Sequence, residues 1–96
     1  MDKEKIRDIL VPILISNGIK KAALFGSIAR NEDNDTSDID ILVEADDNTT
    51  LPELIGMKME IESKTNRKAD ISTYTSLHPR LRNKILKEAT VIYEKR

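Results

Sequence analysis

An α+β fold, with helices packed on a small mixed β-sheet, is what this sequence predicts, and three observations carry the prediction. Apolar residues recur at helical spacing in some segments and alternate in others, and the two patterns take turns along the chain. No repeat or low-complexity stretch interrupts them. At 96 residues the chain is long enough for one core and too short for a separate substrate domain, so residues 1–96 read as a single domain.

The elements follow in order. Ile6, Ile9, Leu10, Ile13 and Leu14 recur at helical spacing, so residues 1–16 are mostly helix. Pro12 lacks a backbone donor and is expected to kink or restart that helix. Ser16-Asn17-Gly18 supplies the stop. IKKAALF, residues 19–25, reads as a strand, followed by a Gly26-Ser27 turn and a short helix through Arg30. NEDNDTS, residues 31–37, is loop. In DIDILVE, residues 38–44, period two puts Ile39, Ile41 and Val43 on one face and Asp38, Asp40 and Leu42 on the other. Residues 51–64 form a helix with an apolar stripe of Leu51, Leu54, Met57 and Ile61, widened by Ile55 and Met59. KADIST is a third strand, HPRLRNKILKEA a last helix, and TVIYE a short final strand.

Composition narrows the function classes. The chain is 39% hydrophobic and 34% charged, the balance of a globular protein rather than a disordered one. With no cysteine there are neither disulfides nor thiolate metal sites. Phe25, Tyr74 and Tyr93 are the whole aromatic set, so the core is aliphatic and base-stacking platforms are not expected. No apolar run approaches the roughly 20 residues of a membrane span, and the charged start MDKEK has no signal-peptide core. A cytoplasmic protein without membrane attachment is expected. Net charge is −1, unevenly spread: residues 32–47 carry eight acids and no Lys or Arg, while residues 80–96 carry six basic residues against Glu88 and Glu94. Two solvated faces of opposite sign account for this. So does an acidic segment that holds cations beside a basic tail that meets phosphates or an acidic partner.

The acids at the start of the second strand ask for a reason. Asp38 and Asp40 share a face, roughly 6.5–7 Å apart at Cα. Two close carboxylates repel unless a cation or proton lies between them. Hard oxygen donors of this kind suit Mg²⁺, which takes one or two carboxylates and completes its shell with water and substrate phosphates. Asp70 is a third acid at a strand start. If its strand lies beside that of Asp38 and Asp40, three carboxylates meet at one sheet end, as two-metal phosphoryl-type transfer requires. A glycine at the strand-to-helix turn lets backbone approach a ligand, and the Gly26-Ser27 amides and the Ser27 hydroxyl favour phosphate. Arg30, one turn on, lies where it meets phosphate as well. Singly, each piece has a plainer reading: a helix start for Gly-Ser, a turn or cap for Ser37-Asp38, a solvated strand end for Asp70. Together, in this order and spacing, they make a site.

Other residues read as structural. His78, the one histidine, stands before Pro79 at a helix start and supports no triad or His-based zinc site. Tyr74 and Tyr93 are packing residues. Arg80, Arg82 and Lys84 form a solvated face, with partner contact as the second reading. Ile55 and Met59, if left outside the core, form an apolar patch suited to a partner.

GSIAR, a polar loop, SDIDILV and later ADIS resemble the signature of the nucleotidyltransferase superfamily related to DNA polymerase beta: Gly-Ser, about ten residues, Asp-x-Asp, then a third Asp on a later strand. With its length and its closing HPRLRNKILKEATVIYE, the chain is similar to the minimal nucleotidyltransferases encoded beside HEPN-domain toxins. The resemblance covers the chain from about Ile19 onward, and it implies the minimal nucleotidyltransferase fold. It also implies that Gly26 and Ser27 hold the nucleotide's phosphates, that Asp38 and Asp40 hold the metals, and that Asp70 completes the metal site and helps activate the acceptor hydroxyl. Implied further are Mg²⁺ in a two-ion arrangement, ATP as AMP donor, and a HEPN ribonuclease toxin as partner, modified on tyrosine and silenced. The working assembly is then a hetero-oligomer, without direct nucleic-acid binding, and nucleotide binding depends on divalent metal. An antitoxin that works by occlusion alone is the alternative. A small-molecule nucleotidyltransferase ranks last, because no further domain is there to bind its acceptor.

Overall fold

Alanines in mid-strand and branched aliphatics on either side give the chain a narrow, tightly paired sheet. The structure, a computed structural model, describes residues 3–30, 32 and 37–95. In chain order these form α1 (Lys3–Ser16), β1 (Ile19–Phe25), α2 (Gly26–Ala29), β2 (Ile39–Ala45), α3 (Leu51–Thr65), β3 (Ala69–Thr73), a 3-10 turn (Tyr74–Ser76), α4 (Pro79–Glu88) and β4 (Thr90–Glu94). The strands lie in the order β3-β2-β1-β4. β1 is antiparallel to both β2 and β4, and β2 is parallel to β3, so the sheet is mixed as the sequence predicts. Parallel neighbours need a crossover, and α3 provides it.

One face of the sheet carries the core. Ile6, Leu10, Ile13 and Leu14 of α1 and Met57 and Ile61 of α3 close over Ile19, Ala22 and Leu24 of β1, Ile39, Ile41 and Val43 of β2, and Ala69 of β3. Alternation sends the partners of these residues to the other face. There Ala23 and Leu42 stand opposite each other in register, and both are fully buried. Local signals set the ends of α3. The Thr50 hydroxyl accepts from the Glu53 amide while the Glu53 carboxylate accepts from the Thr50 amide, and Asn66 ends the helix in the left-handed region at φ 56°.

Several expectations change in detail. α1 is one helix running through Pro12, which neither restarts it nor enters the core. Pro12 stands on the exposed side, where water serves the carbonyl that loses its donor. On α3 the buried stripe narrows to Met57 and Ile61 with Leu54 partly covered, whereas Leu51, Ile55 and Met59 are 69%, 50% and 64% exposed. The cause is position: β3 beneath α3 is an edge strand, so nothing packs beyond it. Most of the expected loop at residues 31–37 lies outside the described residues. His78 caps α4, its Nδ1 accepting from the Arg80 amide at 3.1 Å. Tyr93 packs against the core, and Tyr74 lies beneath Lys21, whose Nζ is 5.4 Å from the ring centroid. Among the described residues no helix is long and apolar enough to cross a membrane.

The contrast between Leu24 and Ile55 is measurable. Leu24→Ala is expected to cost about 2–5 kcal/mol in urea unfolding. Ile55→Ser should stay within about 0.5 kcal/mol of the native chain. Equal losses would place Ile55 in a core that this structure does not have.

Candidate active site

β1 delivers the chain to its tightest corner. After Phe25 the backbone turns at Gly26, φ 74°, and α2 begins at once. Glycine is required there twice over. L side chains rarely adopt that φ, and a Cβ at Gly26 would collide with the Asp40 carboxylate, its Cγ only 3.1 Å away. The close approach follows from register: Phe25 pairs with Asp40 across β1 and β2, so the residue after Phe25 lies over that carboxylate.

Register also gathers the acids. Asp40 pairs with Asp70 across the parallel β2–β3 ladder. Because Ile39 and Ile41 face the helices, Asp40 and its partner Asp70 occupy the opposite face, Asp40 half-buried and Asp70 exposed. Asp38 lies just ahead of β2, exposed, two residues from Asp40. Burial first, then the charges of Asp70 and Asp38, hold the Asp40 carboxyl above its ordinary value, with Arg30 pulling the other way. A half-buried carboxyl with two like charges beside it is poised for a cation. Among the described residues no three acidic or histidine side chains are gathered into a ready-made cation cage. The donor set nonetheless fits Mg²⁺, which needs one or two protein carboxylates and draws its remaining oxygens from water and substrate phosphates.

The remaining predicted residues divide. Ser27 sits in the first turn of α2, half-buried, and its carbonyl accepts from the Glu32 amide at 2.8 Å. Arg30 is at the end of α2 as expected, but its guanidinium is engaged: Nε donates to Glu32 at 3.0 Å and Nη1 to Glu88 of α4 at 3.1 Å. The sequence gives no sign of Glu88, which is 58 positions away. Nor does it mark the turn between α3 and β3. There the buried Arg67 donates from Nε to the Ser37 carbonyl at 2.9 Å, and the Glu62 carboxylate accepts from the Ala69 amide at 2.9 Å. A charged residue between a helix end and a buried strand was the available signal.

A glycine turn thus lies over one of two paired carboxylates at one end of a mixed sheet. Residues 4–96 match the family described as Polymerase beta, Nucleotidyltransferase, and the chain belongs to that family. Among its relatives is a Methanocaldococcus jannaschii protein named "Putative protein adenylyltransferase MJ0435", 45% identical over 89 residues that cover 93% of this chain and 96% of that one. A second protein of that organism, named "Putative protein adenylyltransferase MJ0126", is 40% identical over 60 residues, 62% of this chain and 61% of its own length. The solved structure of a minimal nucleotidyltransferase, so described with the same qualifier, superposes with a TM-score of 0.81 at 32% identity, covering 94% of this chain and 95% of that one. The fold also matches a Shewanella oneidensis structure of a tri-AMPylated HEPN toxin in complex with its MNT antitoxin. That match has a TM-score of 0.74 at 18% identity and covers 96% of this chain and 72% of that one. The α+β minimal nucleotidyltransferase fold expected from the sequence is therefore the one observed.

Asp40 gives the site a pH signature. Its carboxyl is raised, so the folded chain holds this proton more tightly than the unfolded chain, and stability falls as pH rises from the ordinary carboxylate value through the raised one. In Asp40→Asn that loss is absent. The metal-free variant should therefore unfold at a higher urea concentration than the native chain near neutral pH, with the difference vanishing in acid. An Asn variant that is less stable at neutral pH would mean the carboxylate is favourably paired instead.

Proposed function

We propose that this chain is a Mg²⁺-dependent protein adenylyltransferase that transfers AMP from ATP to a hydroxyl, a tyrosine's, on a partner protein of the HEPN ribonuclease class, acting as its antitoxin. The observation that carries the reading is the in-register Asp40–Asp70 pair beneath the Gly26-Ser27 turn. The relative named as an adenylyltransferase and the complexes formed by proteins of the same fold support it.

Each residue then has a task. Gly26 and Ser27 present backbone amides and a hydroxyl to the phosphates, close to the carboxylates because no side chain intervenes. Asp38 and Asp40 hold Mg²⁺, with Asp70 completing the set. When bound, the ions neutralise phosphate charge and polarise the α-phosphorus. Asp70, the more exposed of the paired acids, takes the proton as the acceptor oxygen bonds to the α-phosphorus. The bond to the β-phosphate breaks and pyrophosphate leaves. Arg30 exchanges its exposed pair with Glu88 for the more highly charged phosphate, a trade that costs little because exposed ion pairs are weak.

A second reading, neutralisation by binding alone, has its own support in the apolar side chains left exposed on α3 and α4, among them Leu51, Met59 and Leu81. Label transfer separates the two. The chain and its co-purifying partner are incubated with α-labelled ATP and Mg²⁺. Label on the partner, absent in chelator and in the Asp38→Asn/Asp40→Asn variant, is the expected result. Failure to label a partner first shown by mass spectrometry to be unmodified would favour binding alone.

A further inference from the structure

Asp38 stands outside the regular ladder of β2, exposed, at the end of a polar loop, yet a metal ligand must be held still. The turn between α3 and β3 supplies the grip. The carbonyl before Asp38, that of Ser37, accepts from Arg67 Nε at 2.9 Å, and the amide after it, that of Ile39, donates to the Lys68 carbonyl at 2.8 Å. Consecutive residues of one turn thus hold the backbone on both sides of Asp38. The turn itself is anchored. Asn66 takes the left-handed conformation that ends α3, the buried Thr65 hydroxyl donates to the Ile61 carbonyl at 2.7 Å, and Glu62 accepts from the Ala69 amide.

Arg67 is only 8% exposed, and only one other polar residue, Thr65, is described as buried. Burying a guanidinium is costly unless its hydrogen bonds repay it. A planar fork that reaches 30 residues back to a backbone carbonyl is a poor choice for mere packing and a good one for fixing geometry.

We infer that Arg67 is a positioning residue: through the Ser37 carbonyl it fixes the backbone that presents Asp38 to Mg²⁺, and so sets the metal dependence of nucleotide binding. The inference rests on the metal-binding role proposed above for Asp38.

The test is a titration of Mg²⁺ at fixed fluorescent ATP analogue, read as binding to the purified chain, alongside thermal unfolding without nucleotide. The native chain is measured first. If it binds the nucleotide equally in chelator, the metal reading fails and this inference with it. If binding requires Mg²⁺, Arg67→Gln should raise the Mg²⁺ concentration for half-maximal binding about tenfold, the scale on which groups supporting metal ligands act. Arg67→Lys, which keeps the charge and one donor, should recover most of the loss. A folded Arg67→Gln chain with native Mg²⁺ dependence, whatever its melting temperature, overturns the inference alone. Should Arg67→Gln not fold, amide hydrogen exchange on the native chain decides. The Ile39 amide should be as protected as those of Ile41 and Val43, and free exchange there would mean no grip exists.

Discussion

Like charges on neighbouring strands repel, and the β2–β3 pairing holds Asp40 beside Asp70 in spite of it. The pairing is parallel, so it depends on the α3 crossover, and α3 in turn depends on the apolar face that β1, β2 and β3 offer it. A slip of one residue between the strands would turn Asp40 into the helices and Ile41 out to solvent, which the buried aliphatics forbid. The core on one face thereby enforces an electrostatically unfavourable arrangement on the other. The Asp40 carboxyl, held above its ordinary value by burial and then by the charge of Asp70, carries the mark of that cost in the bare chain.

Gly26 completes the arrangement from the other neighbour of β2. Since β1 and β2 are antiparallel and β2 and β3 parallel, the end of β1 and the starts of β2 and β3 fall at the same end of the sheet. The Gly26 turn and the carboxylates are therefore products of one topology rather than separate devices. On the same face as Asp40, Ala23 and Leu42 pair in mid-sheet and are fully buried.

Much of this was legible in the sequence because it is periodic. Period two in IDILV predicted the facing of Asp40 against Ile39 and Ile41, and helical spacing in α1 and α3 located the elements that cover the sheet. Whether β3 lies beside β2 was a condition the sequence left open, and the structure meets it. What the sequence withheld is non-local. Arg30 reads as free for phosphate because its partner Glu88 is remote in sequence. Leu51 reads as core, and Ile55 and Met59 as either core or exposed patch, because helical spacing cannot reveal that α3 overhangs a sheet edge. Arg67 drew no reading from the sequence, since only a folded chain shows that it is buried and which carbonyl it meets. Pro12 does not restart α1, because at an exposed position the missing hydrogen bond is served by water.

α4 has no buried residue. Little apolar area would be exposed if it unwound, so its opening belongs to the lowest rung of the molecule's local unfolding events, far below the free energy that separates β1 from its neighbours. Yet α4 carries Glu88, one of the two carboxylates that occupy the Arg30 guanidinium. α4 is thus tied, through one exposed ion pair, to the end of the sheet that carries Gly26 and Asp40. Each fraying of α4 changes the charge around Arg30, and any surface that settles on α4 and orders it acts on the same residue.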